Sequence, residues 1–335
     1  MKAFITGGGG CVGRAVVRSF LNNGWDVTVL AHPNEVASLP FAVNENIKIV
    51  VGDLNAFSAN DIPLESHIIH LAAKAHTVPK SEREISDFFH VNRDGTARIA
   101  QNALRQGAKA FIFVSTSGVY GETCFQEGCS ENDTPKPHSA YAQSKYEAEQ
   151  QLRRIWPDAL PLIIFRPAVM FGPGDRGNFV KFFKVVKNGV LPIIRQGSTR
   201  KSILYVQDLA RTIEFAASYP EYFHDQVFNI AYGKPYSIQE LILGISQITE
   251  QKIRLIPIPD FLLLPPAILG NILGAFFQCE MPFSSRKMKV LRQNAILNTE
   301  KLMKVIEPHF SLFSFEDGLR DYIRSGKSPW KTSID

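Results

Sequence analysis

Tyr141 and Lys145 stand four residues apart in Tyr141-Ala-Gln-Ser-Lys145, at the start of a helically patterned stretch. That spacing puts phenol and ammonium on one helix face. A cation beside a phenol lowers its pKa from about 10 toward the working pH, making tyrosine a usable general acid and base. Upstream, an apolar run ends in hydroxyls, Val114-Ser115-Thr116-Ser117-Gly118-Val119-Tyr120-Gly121. Such a hydroxyl can bind the same substrate oxygen that the phenol protonates.

A second constellation is Thr6-Gly7-Gly8-Gly9-Gly10-Cys11-Val12-Gly13, between an apolar run and a helical pattern. Two registers fit a dinucleotide turn, Gly8-x-Gly10-x-x-Gly13 and Gly7-x-x-Gly10-x-x-Gly13. Glycine lets the backbone approach a pyrophosphate, which then sits on the N–H groups of the following helix. NAD-preferring sites place Asp or Glu at the end of the second strand, whereas Ala31-His32-Pro33 carries no acid. A 2′-phosphate is then not repelled, and a protonated His32 can pair with it, so NADP is as admissible as NAD. Asp53, after Val51-Gly52, is placed to accept a hydrogen bond from the adenine amino group. Leu71-Ala72-Ala73 end the fourth run in small residues, across which a cofactor can lie.

These groups need elements to hold them. Nearly continuous apolar runs at 3–6, 26–30, 47–51, 67–71, 110–115 and 162–165 alternate with helical patterns such as 12–22 and 92–105. Continuous hydrophobicity marks parallel strands covered on both faces, so the pattern predicts a doubly wound α/β Rossmann sheet. After Arg166-Pro167 the pattern loosens around Gly172-Pro173-Gly174 and Gly177, with helical stretches at 207–218 and 237–249. The predicted division is a dinucleotide-binding domain over 1–166, to which some later segments return, and a smaller mixed α/β substrate lobe over 167–335.

The 335 residues are 45% hydrophobic and 21% charged, which excludes disorder, collagen and coiled coil. A net charge of +5 without a basic run gives no nucleic-acid partner but suits anionic small molecules. Four cysteines without a C-x-x-C pair suggest reduced thiols and a cytoplasmic location, and no signal peptide is expected. Residues 261–279 are uncharged, but Pro265, Pro266 and Asn271 interrupt them. A packed helix is expected there, with peripheral membrane contact as the other reading and no spanning segment. No metal site is expected.

Taken together, the Thr-Gly-x-x-Gly-x-x-Gly start, Asp53, His70-Leu71-Ala72-Ala73, Asn92, Ser115-Thr116-Ser117-Gly-Val-Tyr-Gly, Tyr141-x-x-x-Lys145 and Arg166-Pro167-Ala-Val-Met-Phe-Gly-Pro-Gly resemble the extended short-chain dehydrogenase/reductases. Within them the chain is similar to the NAD-dependent epimerase/dehydratase branch, which acts on nucleotide sugars. The resemblance implies that Gly7, Gly10 and Gly13 hold the pyrophosphate, Asp53 the adenine and Lys145 the nicotinamide ribose. Cys11, Val12, His32, Leu54, Leu71, Ala72, Ala73, Tyr141 and Arg166 complete the implied cofactor contacts. Tyr141 would be the acid/base and Thr116 its hydroxyl partner, with Ser117 beside it. Asn92 would kink a helix and support the active-site lysine through the backbone. Asn178 and one of Arg200 or Lys201 would bind the nucleotide diphosphate, although the family usually has arginine at the Lys201 position.

Two departures shape the functional expectation. Dehydratases and decarboxylases of the branch carry an acid beside the threonine, where this chain has Ser117 and Gly118. Elimination, which needs a second acid/base, is disfavoured. The missing acid at Ala31-His32 leaves room for a reductase using exchangeable NADPH. The expected activity is hydride transfer at C4 of a nucleotide sugar, with a UDP-sugar as the expected substrate, as a 4-epimerase or 4-ketoreductase. A hydroxysteroid- or isoprenoid-type alcohol dehydrogenase and a non-catalytic NAD(P)-sensing protein are the competing readings. A homodimer is expected through 81–106 and 138–154.

Overall fold

The apolar runs form parallel strands because helices cover both of their faces. In the computed structural model β1 (Lys2–Thr6), β2 (Asp26–Ala31), β3 (Ile47–Val51), β4 (His67–His70), β5 (Ala110–Val114) and β6 (Leu162–Pro167) lie in the order β3-β2-β1-β4-β5-β6. β11 (Gln226–Ile230) pairs in parallel with β6 and completes a seven-stranded sheet. The strand order reverses between β1 and β4, and the crevice above their carboxyl ends is where such sheets bind ligands. The described residues are 1–39, 46–75, 77–121, 128–175, 177–194, 197–223, 226–259, 292–326, 328 and 330. Residues 261–279 lie outside them.

One face of the sheet is covered by α1 (Cys11–Asn22) and α6 (Val206–Ser218), which bury Val16, Phe20, Ile213 and Ala217. The other is covered by α3 (Gly95–Arg105) and α4 (Ala140–Ile155), through Ile99, Ala103, Ala148 and Leu152. Full burial of a side chain such as Phe20 contributes about 1.5–3 kcal/mol. α2 (Glu82–Phe89) runs into α3 through a π-helical turn at His90–Asp94, within the stretch the sequence reads as one helix.

Beyond β6 the described residues form three two-stranded pairs. β7 (Val169–Phe171) pairs with β10 (Ile203–Tyr205), β9 (Arg200–Lys201) with β12 (Tyr236–Ser237), and β8 (Val190–Ile194) with β13 (Arg254–Ile258). α5 (Asn178–Lys187), α7 (Ile238–Thr249), α8 (Glu300–Ile306) and α9 (Phe315–Arg324) accompany them. α6 and β11 are the later segments that return to the sheet. Among the described residues no helix is long and apolar enough to cross a membrane. Cys11 is free, but Cys129 is disulfide-bonded, contrary to the expectation of reduced thiols. Sequence spacing does not disclose which cysteines the fold brings together, and such a bond is disfavoured in a reducing compartment.

Candidate active site

The glycine-rich turn joins β1 to α1 under tight steric limits. Gly7 has φ +72°, and a Cβ on it would lie 2.7 Å from the Ala72 nitrogen. A Cβ on Gly13 would lie 2.0 Å from the Gly7 carbonyl oxygen. Glycine at both positions therefore packs α1 onto β1 and brings the turn against Leu71-Ala72. Gly10 caps α1 without a side-chain hydrogen bond, and the first turn holds no acid. Its N–H groups are a fit for an anionic pyrophosphate, with Gly10, Cys11 and Val12 at the surface or half-buried. Gly172-Pro173-Gly174 folds over this helix end, where the Cys11 thiol donates to the Pro173 carbonyl at 3.4 Å. Burial, then the Asp175 carboxylate, pushes that thiol up to about 12, so Cys11 packs as a neutral group.

Parallel pairing of β2 with β3 sets Ala31 opposite Val51, so the residues that follow both strands meet. His32 Nε2 lies 3.8 Å from the Asp53 carboxylate, and Asn34 N–H donates to His32 Nδ1 at 3.3 Å. Both side chains are about half exposed. Leu54 packs against Gly95.

Ser139 caps α4 by accepting from Ala142 N–H at 3.1 Å, which starts the helix one residue before Tyr141. Tyr141, Lys145 and Glu149 then follow at four-residue intervals on one face. Tyr141 meets Phe88 edge-on at 6.5 Å, and the Lys145 ammonium lies 4.0 Å from the centre of the Phe113 ring. Burial dominates both groups. It pushes the phenol up to about 12 and the ammonium down to about 7, with Glu149 opposing the latter shift. The expected lowering of the phenol is therefore reversed in the protein alone, because desolvation raises it.

Thr116 opens a 3-10 turn, Ser117–Tyr120, and its hydroxyl accepts from Gly118 N–H at 3.1 Å. Its own proton is left to donate. A Cβ on Gly118 would touch both the Thr116 hydroxyl, at 3.3 Å, and the Ala142 side chain, at 3.6 Å. Gly118 thus sets the threonine turn against the first turn of α4. Ser117 is half-buried on that turn. Ser115 faces the other way, its hydroxyl donating to Glu149 at 2.5 Å.

Arg166 has its guanidinium committed within the protein. It donates twice to Glu149, at 3.1 and 2.6 Å, and once to the Tyr120 hydroxyl at 3.0 Å. At 4% exposure it braces β6 against α4. Arg200 and Lys201 diverge on β9. The Arg200 guanidinium donates to the Pro235 carbonyl at 3.3 Å near Glu240, while the Lys201 ammonium donates to the Gln293 carbonyl at 2.6 Å. Burial pushes Lys201 down to about 8. Asn178 is the first residue of α5, and its side chain lies outside the described residues.

The profile of the NAD dependent epimerase/dehydratase family matches residues 3–231. The chain belongs to that family. A UDP-glucose 4-epimerase of Vibrio cholerae is 29% identical over 264 residues, 76% of this chain and 78% of that protein. A ceramide reductase of Caulobacter vibrioides is 30% identical over 258 residues, 76% and 73% of the two chains. A UDP-N-acetylglucosamine 4-epimerase from Methanobrevibacter ruminantium M1, solved with UDP-N-acetylmuramic acid, shares the fold with TM-score 0.74 at 24% identity, covering 96% of this chain and 97% of that one. This family member is accordingly an NAD(P)-dependent enzyme of the epimerase/dehydratase type.

Sequence reasoning missed four buried supports of this site. Glu149 links Ser115 and Arg166, and Tyr120 donates to the Asn229 amide oxygen at 2.7 Å. Asn229 in turn donates to the Cys129 carbonyl at 2.9 Å. His70 bridges two threonines, Thr6 and Thr96. Glu149 left a signal in its four-residue interval from Lys145, and His70 and Tyr120 stand in the quoted motifs, although their buried partners do not show there.

Proposed function

We propose that this enzyme acts at C4 of a nucleotide-linked sugar, as a 4-epimerase or a 4-ketoreductase on a UDP-sugar. The observation that carries the reading is the shared face of Tyr141 and Lys145 on α4, with the Thr116 turn held against the helix start by Gly118. NAD(P), when bound, supplies the site that accepts or returns a hydride. Gly7, Gly10, Gly13 and the first N–H groups of α1 would hold its pyrophosphate, with Asp53 at the adenine. Tyr141 takes the proton from the C4 oxygen or returns it, while Thr116 donates a hydrogen bond to that oxygen. Lys145 offsets the phenolate charge, and Glu149 supports the buried ammonium. Ser117 and Gly118 offer no second acid, which disfavours elimination. Epimerase and reductase share every one of these roles. They differ in whether the cofactor stays on the protein, and the absence of an acid at Ala31-His32 keeps NADPH admissible. The reading includes a homodimer packed through 81–106 and 138–154.

The test is incubation of purified protein with UDP-glucose and UDP-N-acetylglucosamine, alongside mass spectrometry of nucleotide released on denaturation. Retained NAD supports the epimerase and an empty site the reductase. Asn178, Arg200 and Lys201 would serve the diphosphate, so Arg200→Ala or Lys201→Ala is expected to raise KM about 10-fold, the equivalent of a charge-assisted hydrogen bond. kcat should change less, because diphosphate binding is shared by ground and transition states. The ceramide reductase relative favours a second reading, an apolar alcohol or ketone. Turnover of such a compound, with no nucleotide sugar converted and no response to either substitution, would replace the first reading with the second.

A further inference from the structure

Thr6, His70, Asn92 and Thr96 are polar, and none has any exposed surface. The Thr96 hydroxyl lies 2.5 Å from the Asn92 carbonyl oxygen, which can only accept, so the Thr96 proton is committed there. The same hydroxyl oxygen is 2.8 Å from His70 Nε2 and must accept from it. Nε2 therefore carries the ring proton. In the neutral ring Nδ1 is then an acceptor, and the Thr6 hydroxyl, 2.6 Å away, donates to it. Thr6 in its turn accepts from Ala72 N–H at 3.2 Å. Burial, then the Lys145 charge, holds His70 well below the usual histidine range, which keeps the ring neutral. Its orientation is fixed by stacking on Phe113 at 5.7 Å and an edge contact to Phe111 at 6.1 Å.

Asn92 closes the circuit. Its side chain accepts from Lys74 N–H at 2.7 Å and donates to the Lys74 carbonyl at 3.1 Å. It also donates to the Ser144 hydroxyl at 2.9 Å, and Ser144 donates to the Tyr141 carbonyl at 2.9 Å. We infer that His70 is a positioning residue, held as the Nε2–H tautomer, whose one-directional hydrogen-bond relay ties the glycine-rich cofactor turn to the helix bearing Tyr141 and Lys145. The relay starts at Ala72, which touches Gly7, and reaches the π-helical turn whose asparagine grips the first turn of α4. A displacement at either end must break one of these hydrogen bonds.

The test reads the histidine directly. In protein labelled with 15N-histidine, long-range 1H–15N spectra at neutral pH are expected to show His70 as Nε2–H with Nδ1 accepting, the resonance being assigned by its loss in His70→Gln. An Nδ1–H ring, or one averaging between tautomers, overturns the inference. Coupling is read at the far end of the relay. Thr96→Val should displace the Gly7 and Ala72 amide resonances and raise the Kd for NADH or NADPH, by fluorescence titration, about fivefold or more. Thr96→Ser, which keeps the hydroxyl, should stay within about twofold of the parent. Loss of Tm in Thr96→Val with unchanged Kd and unchanged amides would reduce the relay to local packing and overturn the proposal. Should Thr96→Val fail to fold, the tautomer of the unmodified protein decides. None of these readouts involves the sugar, so they stand apart from the C4 reading.

Discussion

At Tyr141 and Lys145 burial and charge oppose each other. Burial pushes the phenol up to about 12 and the ammonium down to about 7, so desolvation disfavours the charged form of each, and Glu149 opposes it at the lysine. Tyr141→Phe removes only the proton carrier, and turnover should fall at least about 10²-fold with cofactor Kd nearly unchanged. Thr116→Val should cost less, since the phenol remains. Near-normal turnover in Tyr141→Phe would remove Tyr141 from the chemistry. Lys145 also writes itself into stability. Its folded pKa, about 7, lies below its ordinary 10.5, so between these values the unfolded chain binds the extra proton. Stability from this group is fully present above the upper value and is lost as pH falls through the lower one. The Tm of cofactor-free parent minus that of Lys145→Met should therefore rise from pH 7 to pH 9, and a flat difference would show that the ammonium is not desolvated as described.

Among the elements, strand ends decide cofactor choice. Because β2 and β3 are in register, the Asp53 carboxylate faces His32, the group that would meet a 2′-phosphate. Ala31→Asp adds a second carboxylate at the end of β2, and the ratio of NADP to NAD Kd should rise at least about 10-fold. Ala31 is fully buried, so the variant should also lose Tm without cofactor. A parent protein that ignores NADP at millimolar concentration would remove His32 from this role. The strands themselves were legible, since runs such as 47–51 are apolar enough to be read directly as β3. The irregularity in the helix after β4 came only through the resemblance, which implies a kink at Asn92, because Val91-Asn92-Arg93-Asp94 by itself fits ordinary helical periodicity; a π-helical turn lies there. Glu149 four residues after Lys145 reads as a surface ion pair until Arg166 and Ser115 close over it. Tyr120 and Asn229 meet across 109 residues, a distance over which no local pattern reports. Arg200 and Lys201 were legible as a basic pair, but alternation along β9 sends them to different partners.

For the whole molecule, the sheet is not finished by the first half of the chain. β11 covers the β6 edge, and α6 covers the apolar side of α1, where Trp25 also donates to Glu214 at 3.0 Å. A fragment of residues 1–166 would bare that edge and the Phe20 surface together. It is expected to lack near-ultraviolet circular dichroism and to bind a hydrophobic dye, whereas a soluble, cooperatively melting fragment would show the cofactor half to be autonomous. The same return of the chain sets a schedule for synthesis. The residues proposed to hold the pyrophosphate and the adenine, Gly7 to Asp53, leave the ribosome long before Ile230 does. Until then the nascent chain carries its binding turn on an open sheet, and a ligand present in the cell can stabilise the site only after most of the protein has been made.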